Sequence, residues 1–535
     1  MSKDKVVNMD EYFSLPNAGL KTYLGKVEKG NSEEYRTTFF RGKSTSQVLQ
    51  EWMPHLQKLN DRWPSLVNFE NDLASKVGPM SIQKPLKERL GDIDHYYEDI
   101  LLSSKPVSRS AIAAVLREWV HVRGMQIRSQ EETVRLMKKS TNSGSPYFVK
   151  RRSVVDKTVP NSVTMRGNIC EMDLPFGKWL GAAVLGWRGQ EGGPSDDDVK
   201  QRVVWMFPFA VNVSELQVYQ PLIEQAQVHE LVPAWISMEA VDHNITMMFD
   251  TKGEQDDVIC TDFSKFDQHF GPVLQSAAKE ILSGLLSKGS SQNWLEHVFP
   301  IKYNIPLIAR WGRAYFGQHG MGSGSGGTNA DETLVHRALQ YEAAQSVNQK
   351  LNPYSQCLGD DGVLTFPGIT TDIVMRSYTA HGLEMNADKQ YVSKQDCVYL
   401  RRWHHKDYRV DGVCVGVYAT ARALGRLCEQ ERYYDPEDWG PRMVALRQLS
   451  ILENIKYHPL REEFVQFCMK GDKYRLGVDI PGFLDNIGAI AKEATDLMPD
   501  FLGYTKSEMK GADVGINNWW IVQYLKQFKS HVKSK

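Results

Sequence analysis

Two kinds of apolar pattern alternate along the chain. The segment AIAAVLREWVHVRGMQIRSQEETVRLMKK (111–139) puts Ile112, Val115, Leu116 and Val120 at helical spacing, and residues 71–140 as a whole predict mostly helix. VLQSAAKEILSGLLS (273–287) and ADETLVHRALQYEAAQ (330–345) predict two further helices. Other runs are short and strand-like: VKQRVVWMFPF from Val199, the Val258-Ile259-Cys260 run that ends in Asp262, and the two halves of YSQCLGDDGVLTF (354–366). Breaks fall at Pro16-Asn17-Ala18-Gly19, Trp63-Pro64, TNSGSPYF (141–148) and the Gly-rich stretch GWRGQEGGPSDDD (186–198), which predicts a loop. From 405 onward the pattern is again mostly helical, with prolines at 436, 441, 459, 481 and 499. Helix and strand interleave without regular βαβ spacing, so the expected fold class is α+β.

Composition adds bounds. The 535 residues carry 64 Lys and Arg against 65 Asp and Glu, and 41% are hydrophobic, which excludes wholesale disorder. No run approaches the ~20 apolar residues of a membrane span, and MSKDKVVNMDEYF at the N-terminus shows no secretory pattern. Seven cysteines (170, 260, 357, 397, 414, 428, 468) lack any CxxC pair, so they read as reduced thiols rather than zinc ligands or a disulfide framework. The balanced total hides a local surplus. Residues 109–166 hold twelve Lys and Arg against four acids, the footprint of a polyanion channel or, equally, of solvated helix faces.

Three segments are candidates for chemistry. Asp-Gly favours a hairpin turn, so Gly359-Asp360-Asp361-Gly362 would carry two carboxylates at a tip supported by buried strands. A plain turn with solvated acids is the alternative. A buried strand ending in Asp262, with Asp267 five residues on, holds a carboxylate rigidly; if it lies beside the hairpin, three acids crowd together and divalent cations would relieve their repulsion. The small residues of GQHGMGSGSGGTNADETL (317–334) would let backbone approach a nucleic acid or nucleotide closely, although a flexible linker has the same composition.

Order and spacing join these segments. Asp262, Ser323, Asp360 and Lys389 lie 61, 37 and 29 residues apart. With TDFSKFD, SGSGGT, GDD, GLEMNADKQ (382–390) and CVYLRR (397–402) in that order, the chain resembles the viral RNA-dependent RNA polymerases, most closely those of the picobirnaviruses, over roughly residues 140–405. The resemblance implies that Asp262, Asp360 and Asp361 ligate two Mg²⁺ ions, with Mn²⁺ the alternative. It implies that Asp267 senses the ribose 2′-hydroxyl, and that Ser323, Gly324 and Thr328 lie at the template–nucleotide junction. Lys389 would protonate the pyrophosphate leaving group. Lys200 and Arg202 would sit over the triphosphate, Arg401 and Arg402 would grip the primer end, and Ser143 and Gly144 would guide the template. One departure stands out: the family often has Asn four residues after the Thr matched by Thr328, and here that position is Glu332, with Asn329 earlier.

The same resemblance implies a right-hand architecture. Residues 1–70 would bridge fingers and thumb. Fingers would come from 71–257 and 271–318, an antiparallel palm from 258–270 and 319–404, and a helical thumb with a C-terminal tail from 405–535. The partners implied are RNA template and product, ribonucleoside triphosphates and a capsid protein, with no membrane span. The implied setting is the virion interior and the host cytoplasm, in the service of a double-stranded RNA genome. At the C-terminus, Trp520, Tyr524 and Phe528 fall on one helix face, and Lys526, Lys529, Lys533 and Lys535 form a basic tail. The nearest rival, a reverse transcriptase, would carry an aromatic residue in place of Asp267. A second rival, a catalytically dead RNA-binding relic, would not need all three acids.

Overall fold

The computed structural model of the chain describes residues 3–494 and 515–532. At its centre is a four-stranded antiparallel sheet in the order Gln356–Leu358, Asp361–Leu364, Val258–Thr261, Tyr391–Ser393. Every residue of Val258–Thr261 is buried, which is why this strand reads as a continuous apolar run. Its side chains still alternate between two cores. Ile259 and Leu364 join a large core with the helices Thr328–Gln345 and Pro272–Leu285. Val258, Cys260 and Val363 face the helix Met238–Thr251 together with Cys397, Tyr399 and Cys414. The sheet is thus clamped between helical layers, and its strand ends are fixed in space.

A second sheet flanks the first. Its order is Asp4–Val6, Arg313–Tyr315, Leu307–Arg310, Ala183–Gln190, Lys200–Met206. Only the Ala183–Gln190 and Leu307–Arg310 strands run parallel. The Gly-rich stretch 186–198 is therefore not a loop throughout, because its first residues are strand. Glycine serves close packing there: a Cβ on Gly189 would lie 1.7 Å from the Met80 carbonyl oxygen. The expected helical stretch 71–140 is broken into short pieces, Leu90–Glu98, Arg109–Glu118 and Gln130–Leu136.

The chain's two ends pack together. Met9, Tyr12, Phe13, Leu20 and Leu24 bury against Ala182, Val184, Ile308 and Ala314 of the five-stranded sheet. Residues from Phe39 to Val77 join Pro441–Glu453, Arg461–Lys470 and Ile487–Ala494 in a separate core, and Tyr35–Arg36 pairs with Glu429–Gln430. The helix Trp520–Leu525 docks there too, its first amides donating to Glu453 at 3.2 and 2.9 Å. Trp520 stacks on Tyr524, whose ring meets Phe528 edge-on. Lys533, Lys535 and the expected break at Pro499 lie outside the described residues. Among the described residues all seven cysteines are free and buried, and no helix is long and apolar enough to cross a membrane.

Candidate active site: acidic strand ends beneath a basic strand

Register brings the three acids to one end of the central sheet. Thr261 pairs with Gly362 and Leu358 pairs with Asp361, so Asp262 leaves its strand where Asp361 enters the next. The turn lies one step earlier than Asp-Gly composition suggests. Gly359 takes φ +57°, Asp360 completes the turn, and Asp361 is already strand. Gly362 is glycine for a different reason: a Cβ there would lie 2.6 Å from the His336 ring and 2.8 Å from Thr261 Oγ1.

The helix Thr328–Gln345 holds this turn from below. Thr333 Oγ1 accepts from the Gly359 amide at 2.9 Å, and His336 Nδ1–H donates to the Gly359 carbonyl at 2.8 Å. Burial pushes His336 down to about 4, so the ring is neutral. Asp262 is fixed through its backbone, with the Gln390 side chain accepting from its amide and donating to its carbonyl, both at 2.8 Å. The sequence reading gave no role to Thr333, His336 or Gln390. Helical spacing from Thr328 points to Thr333 and His336 only as core-facing positions, and nothing local marks Gln390.

The Gly-Ser loop is packed, not free. A Cβ on Gly324 would sit 1.6 Å from the Trp205 carbonyl oxygen, so only glycine lets the loop lie on the Lys200–Met206 strand. Ser323 Oγ accepts from the Trp205 amide at 3.3 Å. Thr328 Oγ1 closes the loop onto the Gly322 carbonyl at 3.0 Å, and buried Glu215 accepts from Ser325 and from the Gly326 amide. The linker alternative is excluded.

Cations face the acids across the cleft. Lys200 and Arg202 are exposed on their strand, and Arg202 Nη2 donates to Asp267 Oδ2 at 3.0 Å rather than to any of Asp196–Asp198. The Asp262 carboxyl is raised by the protein packed around its base although its tip is exposed, and the charges of exposed Lys389, then Lys76 and Lys200, oppose that rise. Asp360 is exposed at the turn, and its carboxyl is raised by the protein packed close around it and then by the charges of Asp267 and Asp262. Asp361 is pushed up to about 7 by burial and Asp360, although the Leu400 amide donates to its Oδ2 at 2.8 Å.

These carboxylates suit a hard divalent cation. Among the described residues no three His, Cys, Asp or Glu side chains close into a metal shell by themselves. Mg²⁺ needs only one or two protein carboxylates, with water and phosphate oxygens completing its shell. No side-chain donor is placed on Asp262 or Asp360 by hydrogen bonding among the described residues, and a cation would relieve the repulsion that Asp267 and Asp262 exert on Asp360 and that Asp360 exerts on Asp361.

Three predicted RNA contacts are placed elsewhere. Ser143 is 2% exposed, with its amide bonded to Val149, its carbonyl to Phe209 and its hydroxyl to Val149. Gly144 is buried at φ +61°, where a Cβ would meet the Phe207 carbonyl at 2.7 Å. Both shape the loop from inside. Arg402 makes a bidentate pair with buried Asp242, at 2.8 and 3.1 Å, because strand alternation turns it away from the cleft. Arg401, in the turn before it, is exposed.

Comparison with known proteins places the chain among relatives. The family described as viral RNA-dependent RNA polymerase matches residues 196–413. A protein named potential RNA-dependent RNA polymerase, from Human picobirnavirus (strain Human/Thailand/Hy005102/-), is 62% identical over 522 residues, 96% of this chain and 98% of that protein. The crystal structure of the RNA-dependent RNA polymerase of a human picobirnavirus is 60% identical, with a TM-score of 0.94 over 98% of this chain and all of that one. Its insertion-loop deletion mutant gives 0.93 at the same identity and coverage.

Proposed function

Since the chain belongs to the viral RNA-dependent RNA polymerase family and is an RNA-directed RNA polymerase, we propose that it copies RNA by a two-metal mechanism, serving transcription and replication of a double-stranded RNA genome. The observation that carries this reading is the register that sets Asp262 beside Asp361, with Asp360 at the adjoining turn. Bound there by Asp262, Asp360 and Asp361, two Mg²⁺ or Mn²⁺ ions would supply positive charge to activate the primer 3′-hydroxyl and stabilise the departing pyrophosphate.

The protein's own groups do the positioning. Lys200 and Arg202 receive the triphosphate, and Arg202 suits it by its planar fork of donors. Lys389, exposed at the cleft edge, donates a proton to the leaving group. Asp267 reads the sugar. Ser323, Gly324 and Thr328 present a rigid floor for the template–nucleotide pair. Arg401 meets the primer backbone. Around this site we assign fingers to 71–257 and 271–318, palm to 258–270 and 319–404, and thumb to 405 onward. Residues 1–70 form a strap, a reading supported by their packing on both the five-stranded sheet and the C-terminal helices. The working places are the virion interior and the host cytoplasm, with a capsid protein as partner.

Asp360→Asn tests the reading. Nucleotide incorporation on a primed RNA template should fall by at least about a hundredfold, with the thermal unfolding midpoint unchanged or raised. Incorporation near the wild-type rate would remove the two-metal assignment.

A further inference from the structure

The core shared by the chain's two ends opens into a cavity that none of the residues assigned to incorporation lines. Its volume is about 580 Å³, and its walls are Phe40, Arg41, Lys43, Glu51, Phe467 and Lys470. Two of these are aromatic rings in contact, with centroids 5.0 Å apart at 34°. Three are cations and one is an acid.

The backbone is arranged to keep the aromatic surface there. Phe39 fills the core at 0% exposure, whereas Phe40 stays half-buried at φ +49°, a left-handed conformation that costs a residue with a Cβ. The Phe40 amide donates to the Gly471 carbonyl at 2.7 Å. Gly471 has to be glycine, since a Cβ there would lie 2.2 Å from two Phe40 ring carbons. The turn that follows is closed by the Lys43 amide on the Phe40 carbonyl at 3.1 Å. Arg36 Nη2 ties the same turn by donating to the Phe39 and Lys43 carbonyls at 2.6 and 3.1 Å. Strain of this kind persists only where its surroundings hold it.

The charges around the rings are unspent. Arg41 and Lys470 are exposed, and neither side chain has a hydrogen bond or ion pair among the described residues. Lys43 pairs with Glu51 at 2.5 Å, but both are exposed, and a pair of that kind contributes little and exchanges readily. Asp472, one residue beyond Gly471, is consumed by the Tyr474 and Leu476 amides at 3.1 and 2.8 Å and by Gln448 at 3.0 Å. A flat apolar surface edged with free cations fits a ligand that is flat at one end and anionic at the other. An acidic peptide would use the cations and leave the rings idle.

We propose that this cavity is a nucleoside-phosphate site separate from the site of incorporation: the base stacks on Phe40 and Phe467, and Arg41 and Lys470 take the phosphate. Free nucleotide and the end of an RNA strand offer the same chemistry, and the test separates them.

The test irradiates the full chain, its cleft filled beforehand with primed RNA template, in the presence of 8-azido-ATP or of a single-stranded RNA decamer carrying 5-iodouridine at its 5′ end. Adducts are mapped by mass spectrometry. Labelling should fall within residues 36–51 or 461–473. An azido-ATP adduct cleared by excess ATP alone identifies free nucleotide as the ligand, and a decamer adduct identifies an RNA end. Arg41→Glu/Lys470→Glu should lower the yield at least about fivefold by removing the phosphate contacts, and Phe467→Leu about threefold or more by removing the stacking face. Arg41→Gln/Lys470→Gln should act in the same direction and decides the matter if charge reversal disturbs the fold. Asp360→Asn should leave this adduct unchanged. Adducts confined to the cleft, a full yield in both double variants, loss of the adduct in Asp360→Asn, or displacement by polyglutamate but by neither ATP nor RNA overturns the proposal.

Discussion

Neighbouring residues of one type do different work here, and Arg401 and Arg402 are the clearest pair. Arg402 neutralises buried Asp242, so Arg402→Ala leaves an unpaired charge inside and should cost ~3–5 kcal/mol in denaturant unfolding. Arg401 is exposed, and Arg401→Ala should stay within ~0.5 kcal/mol of wild type while weakening affinity for primed RNA in a filter-binding titration. Equal stability losses in the two variants would refute the division. Gly362 gives a second case at this scale. Gly362→Ala drives a methyl into His336 and Thr261 and should cost ~1–3 kcal/mol through overpacking. It should also slow incorporation, because His336 carries the Gly359 carbonyl.

Elements meet at turns that the local sequence does not favour. The hairpin of Asp396–Tyr399 and Arg402–His405 turns through Leu400 at φ +53° and Arg401 at φ +57°, where Asn-Gly would be the easy choice. The strained turn aims the Leu400 amide at Asp361 Oδ2, so the hairpin is tied to the acid it serves. Left-handed backbone costs a residue with a Cβ ~1–2 kcal/mol. Arg401→Gly should therefore unfold later than Arg401→Ala by about 1 kcal/mol, as read from thermal midpoints. No difference between them would mean that the turn relaxes once the side chain is gone.

Across the whole molecule, the N-terminal segment and the C-terminal helices share one core, and that core buries charge-capable groups. Glu70 and His458 are both fully buried; burial raises Glu70 to about 8 and lowers His458 to about 3, so both are neutral at pH 7. Thr420 donates to Glu70 and accepts from Trp52 Nε1 at 2.8 Å, joining three distant stretches of chain. A carboxyl whose folded pKa is raised takes up its proton on folding. Its share of stability is complete below the unfolded value near 4.5 and is lost as pH rises through 8. Glu70→Gln removes that dependence. Between pH 6 and 8 the wild type should lose stability relative to Glu70→Gln, by up to ~1.4 kcal/mol per pH unit. Parallel pH slopes in the two proteins would show Glu70 ionised throughout.

Motif order and spacing were enough to single out Asp262, Asp267, Asp360, Asp361 and the Gly-Ser loop, because an acid that ends a short apolar run and glycines that must admit close backbone are local signals. The mixed α+β content was legible for the same reason: hydrophobic periodicity is written within a dozen residues. Tertiary structure alone decided the rest. Whether Arg401 or Arg402 faces the cleft depends on which residue opens a strand after a strained turn. Whether Ser143 meets solvent depends on what Phe209 and Val149 demand of its backbone. Thr333, His336 and Gln390 gain their roles only when one helix and one loop come to lie against strand ends that are far away along the chain. The linear sequence carries no record of such contacts, because burial and the proton it forces onto an acid are properties of the assembled surroundings.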